Sequence, residues 1–172
     1  MPAQIETYIP EERIQLRVAE LGAQISADYE GQSVVLVGVL KGSFMFLADL
    51  CRQITVPSRL DFIGTKSYEG TTTTGEVQLT RDLDRPIEGE HVLIVEDIID
   101  TGLTLSYLKH VFAQRSPASL KVAAFLDKPS RRRVQVEGDY VGFVIEDKFV
   151  IGYGLDFDQR YRNLKDVCIM VG

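Results

Sequence analysis

Two apolar patterns alternate along the chain. Ile14, Val18, Leu21 and Ile25 recur at helical spacing between Pro10 and Gly31, which predicts an amphipathic helix. Val34 to Leu40 then reads VVLVGVL, the unbroken apolar run of a strand buried on both faces. After Lys41-Gly42-Ser43 the segment FMFLADLCRQI resumes helical spacing, completing one βα unit. Pro57 interrupts the pattern. RLDFIGTKSY and VQLTRDL read as two extended arms flanking the polar tract EGTTTTGE, which reads as a mobile loop. HVLIVEDI predicts the next buried strand, DTGLT its turn, and LSYLKHVFAQ a helix ended by Ser116-Pro117, a second βα unit. LKVAAFL, YVGFVIE and VCIMV add strands, with no internal repeat and no linker. The expectation is an α/β fold: a mostly parallel twisted sheet flanked on both faces by helices. Ligands in such folds bind beyond the carboxyl ends of the strands.

Composition narrows the class. A chain of 172 residues is long enough for one domain with a sizeable core and short for two, so a single domain over residues 1–172 is expected. Its hydrophobic fraction of 45% argues against disorder. The start MPAQIETYIP carries Glu6 and no apolar centre, unlike a secretory signal, and no run is long enough to span a bilayer. A cytoplasmic protein with no membrane partner is expected. Cys51 and Cys168 show no CxxC spacing, which supports neither a disulfide framework nor a zinc cluster, and both read as small buried groups. The net charge of −6 disfavours nucleic acid as a partner. The basic run Lys128, Arg131, Arg132, Arg133 reads as a solvated turn rather than a docking patch.

Candidate chemistry concentrates in VLIVEDIIDTGLTL, residues 92–105, where Glu96, Asp97 and Asp100 crowd the end of an apolar strand. Carboxylates this close repel one another unless cations, donors or a ligand compensate them. The turns LKGS at 40–43 and DTGLT at 100–104 both lie where the fold puts a ligand. Backbone N–H groups at a helix start, with the Thr101 and Thr104 hydroxyls, make an anion site suited to phosphate. An isolated DTG would be read better as a turn glycine with a helix cap. A cap accounts for one carboxylate and leaves Glu96 and Asp97 without partners. One ligand satisfies both features if its phosphate sits on the turn and its sugar hydroxyls, or a metal, sit on the acids.

VLIVEDIIDTGLTL resembles the 5-phosphoribosyl-1-pyrophosphate (PRPP) motif of type I phosphoribosyltransferases. LKGS, DFIGTKSY, the Lys128 turn and DKFVIGYGLDFDQRYRN at 147–163 resemble, in order, the remaining motifs of the bacterial hypoxanthine-guanine phosphoribosyltransferases. The resemblance covers nearly the whole chain. It implies the type I phosphoribosyltransferase fold, with a flexible active-site loop at about 65–80 and a small hood from about 145–172 plus the N-terminal segment. It also implies that Glu96 and Asp97 hold the ribose hydroxyls, directly or through Mg²⁺, and that Asp100, Thr101, Gly102, Leu103 and Thr104 cradle the 5′-phosphate. Many relatives carry Lys where this chain has Leu103. Leu40, Lys41 and Gly42 would form the pyrophosphate loop, where the family often has a non-proline cis peptide after Leu40, and Arg162 would reach the pyrophosphate.

For the base, the resemblance implies that Phe149 stacks on the purine, Lys128 donates to its 6-oxo group, and backbone groups at Val150 and Asp156 read the remaining edge. Asp156 would hold a second Mg²⁺. Ser67 and Tyr68 lie on the loop that closes over the site. The implied activity is purine salvage: Mg²⁺-dependent transfer of the phosphoribosyl group from PRPP to N9 of hypoxanthine or guanine, giving IMP or GMP, with Asp100 as general base. The implied assembly is a homodimer or homotetramer. One alternative is a PRPP-binding transcriptional regulator of the same fold, which would need a basic RNA-binding surface that this acidic chain lacks. Another, a phosphoacceptor signalling domain, would not require the matched LKGS and DTGLT turns.

Overall fold

The computed structural model describes residues 3–68 and 76–172, the Tyr68 side chain excepted. In chain order the elements are β1 (Gln4–Ile9), α1 (Glu11–Asp28), β2 (Val34–Leu40), α2 (Phe44–Cys51), β3 (Ser58–Tyr68), β4 (Glu76–Arg81), β5 (His91–Ile99), α3 (Leu103–Ala113), β6 (Ser119–Asp127), a 3₁₀ turn (Pro129–Arg131), β7 (Tyr140–Val144), β8 (Val150–Ile151) and β9 (Val167–Val171). Six strands form one sheet in the order β4-β3-β2-β5-β6-β7, parallel throughout except for the edge strand β4, which runs antiparallel to β3. The expected mostly parallel sheet is therefore present, with helices on both faces.

The apolar runs explain this arrangement through their two-residue period. In β2, Val34 and Leu36 face one core, while Val35, Val37 and Val39 face the other. The first core receives the α1 stripe Ile14, Val18, Leu21 and Ile25 with Phe46, Leu47 and Leu50 of α2. Leu105, Leu108 and Phe112 of α3 fill the second. Each such side chain contributes roughly 1.5–3 kcal/mol by leaving water. A polar-out strand would leave one of these layers without a floor, which is why the central runs carry no alternation.

The structure differs from the sequence expectations in places. α2 ends at Cys51 instead of continuing to Ile54, because Gln53 turns back onto α1, where its Cβ fills the space a side chain at Gly22 would need. β1 and β8 were not expected as strands. They flank β9 in a separate antiparallel sheet, with Gln4 opposite Val171 and Val150 opposite Ile169. The expected loop EGTTTTGE lies largely outside the described residues, at 69–75. Cys168 is buried as expected, but Cys51 is only half-buried.

Candidate active site

The carboxyl ends of β2 and β5 open into a cleft of about 250 Å³. Leu40, Gly42, Glu96, Asp97, Asp100, Thr101, Gly102 and Thr104 line it, together with Thr65, which the sequence reading did not single out. Gly102 adopts φ +86°, a left-handed conformation, and a Cβ there would lie 2.6 Å from Val136. Only glycine turns the chain from β5 into α3 at this point. No side chain caps α3. Thr101 Oγ1 accepts the Leu103 N–H at 3.4 Å, too long for a strong cap, so the first turn of the helix retains capacity for an anion. Leu103 is half-buried and does not line the cleft.

The acids at the head of the cleft are crowded. Glu96 is 6% exposed. Burial, and then the neighbouring Asp97 charge, push its carboxyl well above its ordinary value. Burial raises Asp97 as well, opposed by hydrogen bonding with Glu96, by the Ile98 N–H donated at 2.8 Å, and by the Arg162 charge. No Lys or Arg lines this cleft among the described residues.

The raised Glu96 carboxyl has a sign that can be tested. The folded state holds its proton more tightly than the unfolded state, whose ordinary value is 4.5. Its stabilising contribution is therefore complete below that value and is lost as pH rises through the higher folded one. Glu96→Gln, which keeps the shape and removes the charge, is expected to raise Tm at pH 8 by about 2–4 °C, the shift that ~1 kcal/mol produces in a chain of this size. The gain should shrink toward pH 4.5, and calorimetry at both pH values checks it. An equal gain at both would assign the effect to packing instead.

Across the cleft the Leu40–Lys41 peptide is cis. Gly42 packs against the acids so closely that a Cβ would fall 1.8 Å from Asp97 Oδ2, so the approach of this loop to Asp97 requires glycine. Gly154 abuts the same loop, its missing Cβ lying 2.2 Å from the Gly42 carbonyl oxygen. The Tyr153 hydroxyl ties that turn to α2 by donating to Asp49 at 2.5 Å. Arg162 donates to the Gly154 carbonyl at 2.7 Å and to Gln159 Oε1 at 3.0 Å, and lies 3.4 Å from Asp156. Lys41 reaches the same Gln159 oxygen at 3.3 Å. Lys41 and Arg162 line a second pocket, of about 380 Å³, which shares Leu40 and Thr65 with the first.

The base-reading candidates line neither pocket. The structure connects one of them, Lys128, to the cleft through a run of alternating charges. Arg131 Nε lies 2.9 Å from Asp100 Oδ1, out of line for a hydrogen bond, so that this buried oxygen has an ion pair but accepts no proton. Arg131 also lies 3.7 Å from Asp147, whose other oxygen is 4.0 Å from Lys128 Nζ. Lys128 is 6% exposed, and the one carboxylate near its ammonium is that of Asp147. Phe149 is 57% exposed, edge-on to Phe157 at 5.7 Å, and Val150 beside it is buried. Asp156 accepts the Gln159 N–H at 2.9 Å. Ser67 is exposed on the outer half of β3, and Tyr68 ends that strand, its side chain outside the described residues.

The expectation of a solvated basic turn holds for the exposed Arg131 and Arg133 and is corrected for Lys128 and Arg132. Lys128 is buried, and Arg132 donates to the carbonyls of Val136 and Asp100 at 3.0 and 3.1 Å and to Asp127 at 2.7 Å. The Arg133 N–H adds a bond to the Thr101 carbonyl at 2.8 Å. The turn fastens DTG from behind, because the chain reversal after Asp100 exposes carbonyls that no strand satisfies. Arg131, Arg132, Asp147 and Gln159 were not legible as site residues; the basic run was the only signal for the two arginines.

Comparison with known proteins agrees along almost the whole chain. The phosphoribosyl transferase domain family matches residues 5–158. A hypoxanthine phosphoribosyltransferase of Salmonella typhimurium is 53% identical over 93% of this chain and 92% of its own length. A hypoxanthine-guanine phosphoribosyltransferase of Bacillus subtilis is 46% identical over 96% and 92%. The crystal structure of a hypoxanthine-guanine phosphoribosyltransferase from Bacillus anthracis superposes with a TM-score of 0.93 at 48% identity, covering 96% of this chain and 98% of that one. The cleft at the strand ends thus sits in a type I phosphoribosyltransferase fold, and the chain belongs to the hypoxanthine and hypoxanthine-guanine phosphoribosyltransferase family.

Proposed function

We propose that the protein moves the 5-phosphoribosyl group of PRPP to N9 of hypoxanthine or guanine, giving IMP or GMP and pyrophosphate, in purine salvage. The observation that carries this reading is the pairing of buried Glu96 and half-buried Asp97, with no cation among the described residues lining their cleft, with an uncapped glycine turn. One end suits sugar hydroxyls or a metal, and the other suits a phosphate. In this reading Glu96 and Asp97 hold the ribose, residues 100–104 hold the 5′-phosphate, and Leu40, Lys41, Gly42 and Arg162 hold the pyrophosphate. Lys128, Phe149 and the backbone of Val150 and Asp156 hold the base. The smaller sheet of β1, β8 and β9, with the turns between β8 and β9, serves as the hood of a single domain.

The donor set fits Mg²⁺, which keeps much of its water and takes one or two carboxylates together with ligand phosphates. Among the described residues no three His, Cys, Asp or Glu side chains gather to hold an ion unaided. Glu96 and Asp97 would supply the protein's share of one ion and Asp156 that of a second, with PRPP and water supplying the rest. When bound, the ion supplies positive charge to the departing pyrophosphate. Lys41 and Arg162 add charge at the same place. The bond from C1′ to the pyrophosphate oxygen breaks as N9 bonds to C1′, and Asp100 takes the ring proton of the base. No covalent intermediate with the enzyme is required.

The test is pyrophosphate release from PRPP and Mg²⁺ with adenine, guanine, hypoxanthine and xanthine in turn. Release with hypoxanthine or guanine and not with adenine is expected; no release with either 6-oxopurine would overturn the proposal. A PRPP-binding regulator would also release none, and the relatives above, which are transferases, give that alternative no support. Chelation is expected to lower the rate on the order of 10²-fold, with recovery on adding Mg²⁺. Full activity in chelator would remove the metal from the mechanism. No helix among the described residues is long and apolar enough to cross a membrane. With both cysteines free, a cytoplasmic site of action is consistent. The working unit is a homodimer or homotetramer, which sedimentation distinguishes; exposed Leu16, Phe44 and Leu60 offer apolar surface for it.

A further inference from the structure

The two adjoining pockets divide by sign of charge. Among the described residues the first is lined by Glu96, Asp97 and Asp100 and by no cation, the second by Lys41, Arg81 and Arg162 and by no acid. Lys41 and Arg162 are accounted for by the reading above, whereas Arg81 is not. We propose that Arg81 is a third pyrophosphate-binding cation and that this second pocket takes the outer phosphate of the leaving group. The inference rests on the phosphoribosyl-transfer reading and adds to it a residue and a place.

The backbone aims Arg81 at this pocket. β3 and β4 lose register between Gly64 and Thr65: Gly64 pairs with Arg81 and Thr65 with Leu79, which makes Thr80 an extra residue in β4. Such a bulge redirects the side chains beside it. Gly64 is also the register partner of Leu40, the residue that precedes the cis peptide. A Cβ on Gly64 would lie 3.2 Å from the Arg81 Cβ, so the absence of a side chain at 64 leaves room for the arginine stem against β3, at the position in register with Leu40. Thr65, Thr80 and Gln159 complete the polar lining.

Arg81 is free to take an anion. Its only protein partner among the described residues is Asp84, at 3.3 and 3.4 Å to the two oxygens. Both side chains are solvated, Asp84 to 73%, and an ion pair this open contributes little. Lys41 and Arg162, by contrast, share Gln159 Oε1, which holds two cations together facing the same space. Within the protein the three cations have the Gln159 amide oxygen, the exposed Asp84 carboxylate and Asp156, 3.4 Å from Arg162, and a phosphate carrying two charges adds compensation where Lys41 and Arg81 have least. The competing explanation is that Arg81 only closes the turn with Asp84.

The experiment is the inhibition constant of inorganic pyrophosphate, measured beside that of IMP, in wild type, Arg81→Met, Arg81→Lys and Asp84→Asn. Arg81→Met is expected to weaken pyrophosphate roughly 10- to 100-fold, the effect of losing one charge-assisted contact, while IMP, which has no pyrophosphate, changes less than about twofold. Arg81→Lys should recover part of the loss. Asp84→Asn, which releases Arg81, should tighten pyrophosphate. Unchanged pyrophosphate binding in Arg81→Met, or equal weakening of IMP, overturns the assignment. So does weakening by Asp84→Asn to the same extent as Arg81→Met, the result a turn-closing pair predicts. Wild type that neither forms nor binds pyrophosphate would refute the transfer reading itself, a result separable from an Arg81 variant that behaves as wild type.

Discussion

Asp100→Asn is expected to lower kcat by roughly 10²–10⁴-fold with hypoxanthine while changing the affinity for PRPP far less. The geometry makes this substitution unusually clean. Asp100 Oδ1 is buried, accepts no hydrogen bond, and lies 2.9 Å from Arg131 Nε. Asparagine keeps an oxygen for that arginine and keeps the shape of the DTG turn, whose backbone is held independently by Arg132 and by the Arg133 N–H. What it removes is the ability to take up a proton. If Asp100 served only to shape the phosphate turn, the loss would appear as weaker PRPP binding with kcat preserved. Steady-state kinetics in both substrates separates the two outcomes, and wild-type turnover in the mutant would remove Asp100 from proton transfer.

The parts of this site legible in the sequence are those whose chemistry is local. VVLVGVL and HVLIV had to be two-sided strands, because no other common element buries so unbroken a run of that length. Gly102 read as a turn between strand and helix, and its φ of +86° with Val136 2.6 Å from where a Cβ would stand leaves no room for another residue. The acids at 96, 97 and 100 pointed to a ligand because three carboxylates crowd one strand end; the Arg131 ion pair of Asp100 and the Ile98 N–H on Asp97 became visible only in the fold. Elements that depend on distant partners left no such mark. β1 is largely exposed, and it becomes a strand because Gln4 meets Val171 across nearly the whole chain.

The basic run shows the same limit from the opposite side. A solvated turn and a buried clasp can share the composition KPSRRR. The difference lies in the carbonyls of Asp100 and Thr101, which lie beyond β5 and are taken up by Arg132 and the Arg133 N–H, and these become visible only once β5 has ended and the chain has reversed. Gln159 is less legible still. It joins Lys41 to Arg162 through one oxygen, from a left-handed backbone position within DFDQRY that no spacing rule marks. Recognition of the family motifs therefore pointed to the residues proposed to touch substrate, and the fold was needed to reveal the residues that hold them.

Lys128→Ala should collapse the preference for 6-oxopurines, and here the sequence expectation and the burial combine. A lysine ammonium only donates, so it pairs with a 6-oxo group and opposes the 6-amino group of adenine. In this fold Lys128 is 6% exposed, and its nearest carboxylate, on Asp147, is 4.0 Å away and more than half exposed. A base seated against this lysine would exclude the remaining water from its ammonium, so a substrate that leaves it unpaired is penalised heavily. Rejection of adenine by a factor on the order of 10⁴ is expected of wild type. Alanine removes both the donor and the penalty. Efficiency with hypoxanthine and guanine should then fall steeply, while the weak activity with adenine stays level or rises. Because Asp147 also faces Arg131, removing Lys128 does not strand it, and the fold should survive with Tm shifted by no more than a few degrees. A lysine serving only to close the turn predicts the reverse: a lower Tm with the ranking of bases intact. Measuring kcat/KM for the three bases alongside Tm in the same preparations decides between them, and an unchanged preference for 6-oxopurines would sink the role assigned to Lys128.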